Sequence, residues 1–125
     1  MGGDVVSKWA EGPLSIELVN EGARLCLGFV GKSSDREPGR FIMPVLQDAI
    51  ERARAANAAL VLDFCGLEYM NSSTFTPVVK SLGVARAAGI SVVLQYSLAR
   101  KWQALSFSAL RTFETLDGRI QVQGK

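Results

Sequence analysis

The chain contains no histidine, and only two cysteines and four prolines occur among its 125 residues. Without histidine, neither a Ser-His or Cys-His nucleophilic pair nor a His-ligated zinc site can form. Cys26 and Cys65 lie in separate strand-like runs and show no Cys-x-x-Cys spacing. We therefore expect two buried free thiols and no metal site, cofactor or enzyme active site.

Long hydrophobic runs and clusters of like charge are also lacking. No apolar run reaches the roughly 18 residues of a membrane span, and residues 1–12 lack the basic and hydrophobic regions of a secretory signal. The net charge is +2, and no Lys/Arg cluster interleaved with aromatic residues indicates a nucleic-acid partner. These absences predict a cytoplasmic protein that binds neither nucleic acid nor membrane.

The charges are unevenly divided along the chain. Residues 74–125 carry seven basic and two acidic side chains. This half either meets an acidic partner surface or presents ordinary solvated helix faces.

The hydrophobic pattern predicts an α/β fold. Residues 1–12 are Gly-rich and polar, and we expect a flexible N-terminal arm there, followed by one domain over 13–125. Apolar runs predict five strands, at residues 14–19, 23–30, 59–64, 91–96 and 120–122. Helical periodicity predicts three helices, beginning near residues 41–43, near 72–73 and near 98. The product is a mixed sheet of about five strands with about three helices.

The third helix is predicted from a stripe of apolar residues at helical spacing. We expect this stripe to be buried. Its members are Leu98, Trp102, Leu105, Ala109, Leu110 and Phe113.

The strand at 59–64 and the helix start that follows it organise the chain, because open α/β sheets hold their sites where a strand passes through a loop into a helix. Asp63 ends the strand, and we expect its carboxylate to orient the loop by accepting backbone N–H bonds. Asn71 and the hydroxyl residues after it are preferred helix N-caps, so capping alone would explain them. Met70 and Phe75 border this helix start; they either contact a partner or, as the helix stripe indicates for Phe75, pack in the core.

These residues resemble the STAS domain, the fold of bacterial anti-sigma-factor antagonists, over residues 14 to 122. The matching family segment commonly reads Asp-Ser-Ser-Gly, and its second serine is phosphorylated; Asn71, Ser72, Ser73 and Thr74 take those four places. Asn71 and Thr74 depart from this pattern and are similar to a variant group of STAS-like regulators, in which Asn precedes a hydroxyl run and the first hydroxyl residue is modified. The resemblance therefore implies phosphorylation of Ser73 or of Ser72, at a site shaped by Asn71 and Thr74.

The resemblance also implies a bacterial partner-switching circuit. A serine/threonine kinase of the histidine-kinase-like ATPase family would phosphorylate the domain, and a metal-dependent serine phosphatase would reverse the reaction. The unmodified domain would sequester or activate a partner, and the departures at Asn71 and Thr74 favour a signalling enzyme over an anti-sigma factor. A phosphate of about −1.5 to −2 charges would be tolerated at a helix start and would act on the binding face.

Two alternatives remain open from the sequence. In the first, the domain is an adaptor that is never phosphorylated and assembles with a larger signalling protein or with itself as a homodimer. In the second, it binds a small ligand such as a nucleotide or lipid at the carboxyl ends of the strands.

Overall fold

A mixed seven-stranded sheet carries three helices in the computed structural model, which describes residues 3–125. The strands are β1 (Asp4–Glu11), β2 (Leu14–Asn20), β3 (Arg24–Ser33), β4 (Ala59–Asp63), β5 (Leu67–Met70), β6 (Val92–Tyr96) and β7 (Ile120–Gly124). The helices are α1 (Gly39–Ala56), α2 (Phe75–Ala87) and α3 (Lys101–Phe107), with 3₁₀ turns over Ser72–Thr74 and Ser108–Phe113. The α/β class and the three helices are confirmed, and the sheet has two strands more than predicted.

The strand order is β1-β2-β3-β4-β6-β7, and β5 pairs with β3 away from this path. The first three strands are antiparallel, whereas β3, β4, β6 and β7 run parallel. The predicted hairpin of β2 and β3 and the parallel crossover from β4 through α2 to β6 are confirmed. Alternate sheet residues pack against the inward faces of the helices in one core. The stacked rings of Phe29 and Phe64 (centroids 4.5 Å apart) and the ring of Phe107 (4.9 Å from Phe64) lie within it.

The expected N-terminal arm forms a strand instead. Residues 1 and 2 of this arm lie outside the described residues, but Asp4–Glu11 pairs along its length with β2. The turn that joins the two strands contains Gly12, which has a φ of +55°. Main-chain hydrogen bonds hold this edge strand, and most of its side chains are exposed. Its sequence therefore lacks the apolar alternation that marks a half-buried strand.

Strand β5 was expected to be loop, because four residues are too few for a clear hydrophobic period. It forms because β3 continues past β4 and offers a free edge, to which β5 pairs in parallel. A register shift at Gly31 accompanies this change of partner, and Gly31 has a φ of +96°. A Cβ atom at this position would collide with the carbonyl oxygen of Pro13.

The first and third helices differ from the predictions. Helix α1 begins at Gly39 rather than near residues 41–43, because Pro38 (φ −62°) already has the dihedral angle of a helix start. Helix α3 begins at Lys101 rather than near residue 98. The predicted stripe is wrong at Leu98, Leu105 and Phe113, which are 57%, 79% and 40% exposed, and at Ala109, which is exposed as well. After seven α-helical residues the chain tightens into a 3₁₀ turn, so the 3.6-residue period no longer describes which side chains face the core.

Candidate functional site

The candidate site begins where two parallel strands, β3 and β5, end side by side. Strand β3 ends at Ser33 and β5 ends at Met70, and these residues are aligned in the strand pairing. The N–H of Asn71 donates to the carbonyl oxygen of Ser33 over 2.9 Å. The residue that precedes the 3₁₀ turn is therefore fixed to the end of β3.

Asn71 is the N-cap of the 3₁₀ turn that leads into α2. Its backbone is extended (φ −79°, ψ 166°), and its Oδ1 accepts hydrogen bonds from the N–H of Thr74 at 3.2 Å and from the Thr74 hydroxyl at 2.9 Å. Its Nδ2 donates to the carbonyl oxygen of Asp35 at 2.7 Å. One amide side chain thus joins the helix start to the loop between β3 and α1.

The Thr74 hydroxyl is buried within this cap. Thr74 is 1% exposed, and its Oγ1 lies 2.7 Å from the Oγ of Ser33, which is 3% exposed. A hydroxyl carries one proton, and that of Thr74 is donated to Asn71, so the Ser33 hydroxyl is the donor to Thr74. The Thr74 hydroxyl is buried, and it both donates and accepts a hydrogen bond. It is therefore inaccessible to a modifying enzyme.

Ser72 and Ser73 differ from Thr74 in their environment. Both are exposed, and the cap is completed by Asn71, Thr74 and Ser33. The carbonyl oxygen of Ser72 accepts from the N–H of Phe75, so the backbone of the turn is hydrogen-bonded while both serine residues are exposed. Capping by Asn71 is therefore what the structure shows, and it uses neither serine side chain.

The helix start is also suited electrostatically to an anion. The first N–H groups of a helix have no partner within it and lie at the positive end of its dipole. The 3₁₀ turn passes directly into the 13 residues of α2, and no acidic side chain occupies the first turn of either. A dianion on Ser72 or Ser73 would be stabilised by the backbone rather than repelled.

Asp63 lies at the end of β4, apart from the two serines, and acts locally. Its Oδ1 accepts the N–H of Cys65 at 2.9 Å, as an Asp that orients a strand-end loop would do. Burial, followed by the hydrogen bond to the Asp63 carboxylate and the charge of that carboxylate, raises the pKa of the Cys65 thiol to about 11. Burial, followed by the nearby Glu21 and Asp63 carboxylates, raises the pKa of Cys26 to about 11 as well. Both cysteines are free thiols, but they are half-buried rather than buried as the sequence predicted.

The apolar residues beside the serines lie mostly inside the molecule. Met70 is 8% exposed and belongs to the core, so it does not form the partner contact that was one expectation for it. Phe75 is half-buried and packs against Phe107, with ring centroids 5.6 Å apart. Tyr69, which is 49% exposed, is the apolar side chain left at the surface next to this turn.

Sequence reasoning missed Ser33 and Gln103, because their partners are distant in sequence. Gln103 is fully buried, and its Nε2 donates to the carbonyl oxygens of Phe64 (2.7 Å) and Leu67 (2.8 Å) while its Oε1 accepts the N–H of Ser97 (2.7 Å). This side chain therefore fixes the loop between β4 and β5, on which the site depends. A polar residue at a helical position that faces the core would have been its only signal.

A small cavity adjoins the site on the side of the β1–β2 turn. It has a volume of about 200 Å³, and its wall includes Lys32, Ser33, Asp35 and Phe41. Pockets for small molecules usually measure about 300–1,000 Å³. The cavity is smaller than this range and is large enough for one side chain of a partner.

Within residues 3–125, no group of three or more potential ligand side chains is placed to hold a metal ion. Over the same part of the chain, no helix has the length and apolar character needed to cross a bilayer.

The sequence matches no protein-family model and no curated protein. The structure, however, resembles solved structures of SiaC from Pseudomonas aeruginosa, with a TM-score of 0.60 and 20% identity over 96% of this chain and 100% of that chain. The fold is SiaC-like. The complex of the diguanylate cyclase SiaD with its activator SiaC gives a TM-score of 0.59 and 19% identity (96% and 100% covered). Apo-SiaC gives 0.58 and 19% (96% and 99% covered).

The SiaC-like fold refines the earlier resemblance. It is a small α/β fold, and nothing in these comparisons identifies a STAS family or an anti-sigma-factor antagonist. In the one complex described above, SiaC is the activator of an enzyme.

Proposed function

We propose that this protein is a protein-binding regulator of the partner-switching kind, controlled by phosphorylation of Ser72 or Ser73 at the start of α2. The observation that carries the proposal is the division of the hydroxyl groups at this turn. Asn71 and Thr74 form the cap, with Ser33 behind them, so the two exposed serines are free for modification. A phosphate would be added without disturbing the bonds that fix the turn.

The unmodified protein would bind a signalling enzyme and regulate it. The SiaC-like fold supports this target class, since SiaC activates the diguanylate cyclase SiaD. In this circuit a kinase of the histidine-kinase-like ATPase family adds the phosphate and a metal-dependent serine phosphatase removes it, and both act in the cytoplasm. In this proposal the protein itself contributes a binding surface and catalyses no reaction.

The phosphate would act on binding rather than on folding. The helix start accommodates a negative charge, whereas a partner surface packed over the turn would meet an added dianion with repulsion and buried charge. A loss of about 3 kcal/mol in binding free energy is more than a hundredfold in affinity. One modification is therefore sufficient for a switch.

Mass spectrometry of the protein from its native cells tests the acceptor directly. The tryptic peptide that follows Arg54 and ends at Lys80 contains both serines. We expect phosphate on Ser72 or Ser73 whose occupancy changes between growth and starvation. Complete coverage of this peptide without phosphate in any condition would refute the switch and favour a constitutive adaptor.

Matched substitutions test its effect on a partner. Asp and Asn have nearly the same shape, so Ser72→Asp against Ser72→Asn, and the same pair at Ser73, isolate the charge. We expect Asp at the true acceptor to weaken partner binding about a hundredfold, while Asn changes it by less than about threefold. Equal binding by the Asp and Asn variants at both positions would contradict the proposal.

A further inference from the structure

A groove runs between α1 and α2 beside the serine-bearing turn. It is lined by Gly39, Arg40 and Met43 of α1 and by Thr76, Pro77 and Lys80 of α2, and its volume is about 310 Å³. Pro77 is buried and Met43 is half-buried, so they form an apolar floor. The groove follows α2 from Thr76 to Lys80, which is about 6 Å along a helix axis. It has room for one or two side chains of a partner.

The charged side chains that line this groove are both basic. Lys80 is exposed and forms no salt bridge to any residue in the range 3–125. Arg40 has one ion pair, to Glu37 at 3.7 Å, and the Arg40 side chain is 82% exposed. Exposed pairs of this kind contribute little to stability, so Arg40 can exchange its partner at small cost. The two cations are thus available to carboxylates from outside.

We propose that this groove is the docking site for an acidic segment of the partner protein, with an apolar side chain on the Met43 and Pro77 floor and carboxylates paired to Arg40 and Lys80. Charge complementarity selects this occupant, because a basic segment would meet two like charges. The apolar floor supplies the central contact, as buried anchor residues do in other interfaces. The basic second half of the chain contributes Lys80 to this surface.

The groove also gives the serine switch a physical target, a step that rests on the proposed function. Thr76, at the mouth of the groove, follows Ser73 by three residues, and residues three apart are neighbours on a helix surface. A phosphate on Ser73 would repel the partner's carboxylates and attract Arg40 and Lys80 to itself. Phosphate and partner would compete for the same two cations.

Selection from a random short-peptide display library against the immobilised full chain tests the groove without a known partner. The best peptide is then labelled, and its affinity is measured by fluorescence anisotropy for the wild type and for Arg40→Glu, Lys80→Glu and Arg86→Glu. Arg86 is an exposed cation in the last turn of α2, outside the groove, and serves as the matched control. We expect selected peptides with Asp or Glu around an apolar residue and about tenfold weaker binding for each groove variant. Arg86→Glu should change binding by less than about twofold, and salt should weaken binding to the wild type.

Selection of no peptide above background, or of basic or uncharged peptides, would overturn the docking site. Equal losses with Arg86→Glu and with the groove variants would do the same. The Ser73→Asp variant separates the two proposals. If the groove variants bind the selected peptide more weakly and Ser73→Asp binds it normally, the groove is supported and its link to the switch is contradicted. If only Ser73→Asp loses binding, the switch is supported and the groove is contradicted.

Discussion

At the scale of single residues, Asn71 determines whether the serine-bearing turn is ordered. Its side chain accepts two hydrogen bonds from Thr74 and donates one to the Asp35 carbonyl oxygen. Asn71→Ala removes all three and leaves the buried Thr74 hydroxyl without its acceptor. We expect the free energy of unfolding in urea to fall by about 1–2 kcal/mol, the usual cost of a lost N-cap.

Two variants at the same turn serve as controls for this prediction. Asn71→Asp keeps an acceptor for Thr74 but loses the donor to Asp35, so it should cost less than Asn71→Ala. Ser72→Ala changes an exposed hydroxyl outside the cap and should alter stability by no more than about 0.5 kcal/mol. Equal stability of the Asn71→Ala and Ser72→Ala variants would show that the cap does not order the turn.

The residue scale also marks the limit of what the sequence could predict about the site. The cap that Asn71 forms with Thr74 and the bond of Asp63 to the N–H of Cys65 follow from local preferences, because each joins residues no more than three apart. The bond from Asn71 to the Asp35 carbonyl oxygen, 36 residues away, could not be predicted in this way. Ser33 and Gln103 bond to atoms 36 to 41 residues away. Only the strand pairing and the position of α3 bring these groups together, and neither leaves a local pattern in the sequence.

At the scale of whole elements, β1 is the part of the fold that was predicted wrongly from composition. Its contribution to the free energy of unfolding can be measured. It covers the edge of β2, and its Trp9 packs against the core. Removal of residues 1–11 should lower the free energy of unfolding by at least about 2 kcal/mol, comparable to exposing one large apolar side chain. A flexible arm would leave it unchanged.

Hydrogen exchange distinguishes the contribution of the main-chain pairing of β1 from that of its Trp9 side chain. In the truncated protein the amides of β2 that bond to β1 should exchange at much higher rates, because their acceptors are gone. In the full chain with Trp9→Ala, stability should fall while these amides keep their partners. Unchanged exchange in β2 after truncation would mean that β1 is not paired in solution.

The strands whose side chains pack in the core and whose edges pair with neighbouring strands were predicted best. Strands β2, β4 and β6 carry the alternating or continuous apolar patterns that burial imposes, and they appear where those patterns lie. Elements held chiefly by main-chain bonds, such as β1 and β5, carry no such pattern. The stripe of α3 was predicted wrongly for a third reason. The chain tightens into a 3₁₀ turn after seven α-helical residues, and a hydrogen-bonded glutamine, Gln103, takes a core position that an apolar residue would ordinarily take.

At the scale of the whole molecule, the fold partly shields two thiols from water, that of Cys26 in β3 and that of Cys65 in the turn between β4 and β5. Burial raises the pKa of both Cys26 and Cys65 from an ordinary value of 9.0 to about 11. A folded-state pKa above the unfolded value means that the folded protein holds these protons more tightly. The stabilisation is complete below about pH 9 and is lost as the pH rises through about 11.

We therefore expect the free energy of unfolding, measured by urea titration, to fall over this interval partly because of these thiols. Lysine and tyrosine side chains titrate in the same range, so the decisive quantity is the difference from the Cys26→Ser, Cys65→Ser double variant, which retains every other titrating group. The wild type should lose more stability than this variant between about pH 9 and pH 11, and the two should run parallel below about pH 8. Parallel behaviour over the whole range would show that the thiols are as accessible to water in the folded chain as in the unfolded one.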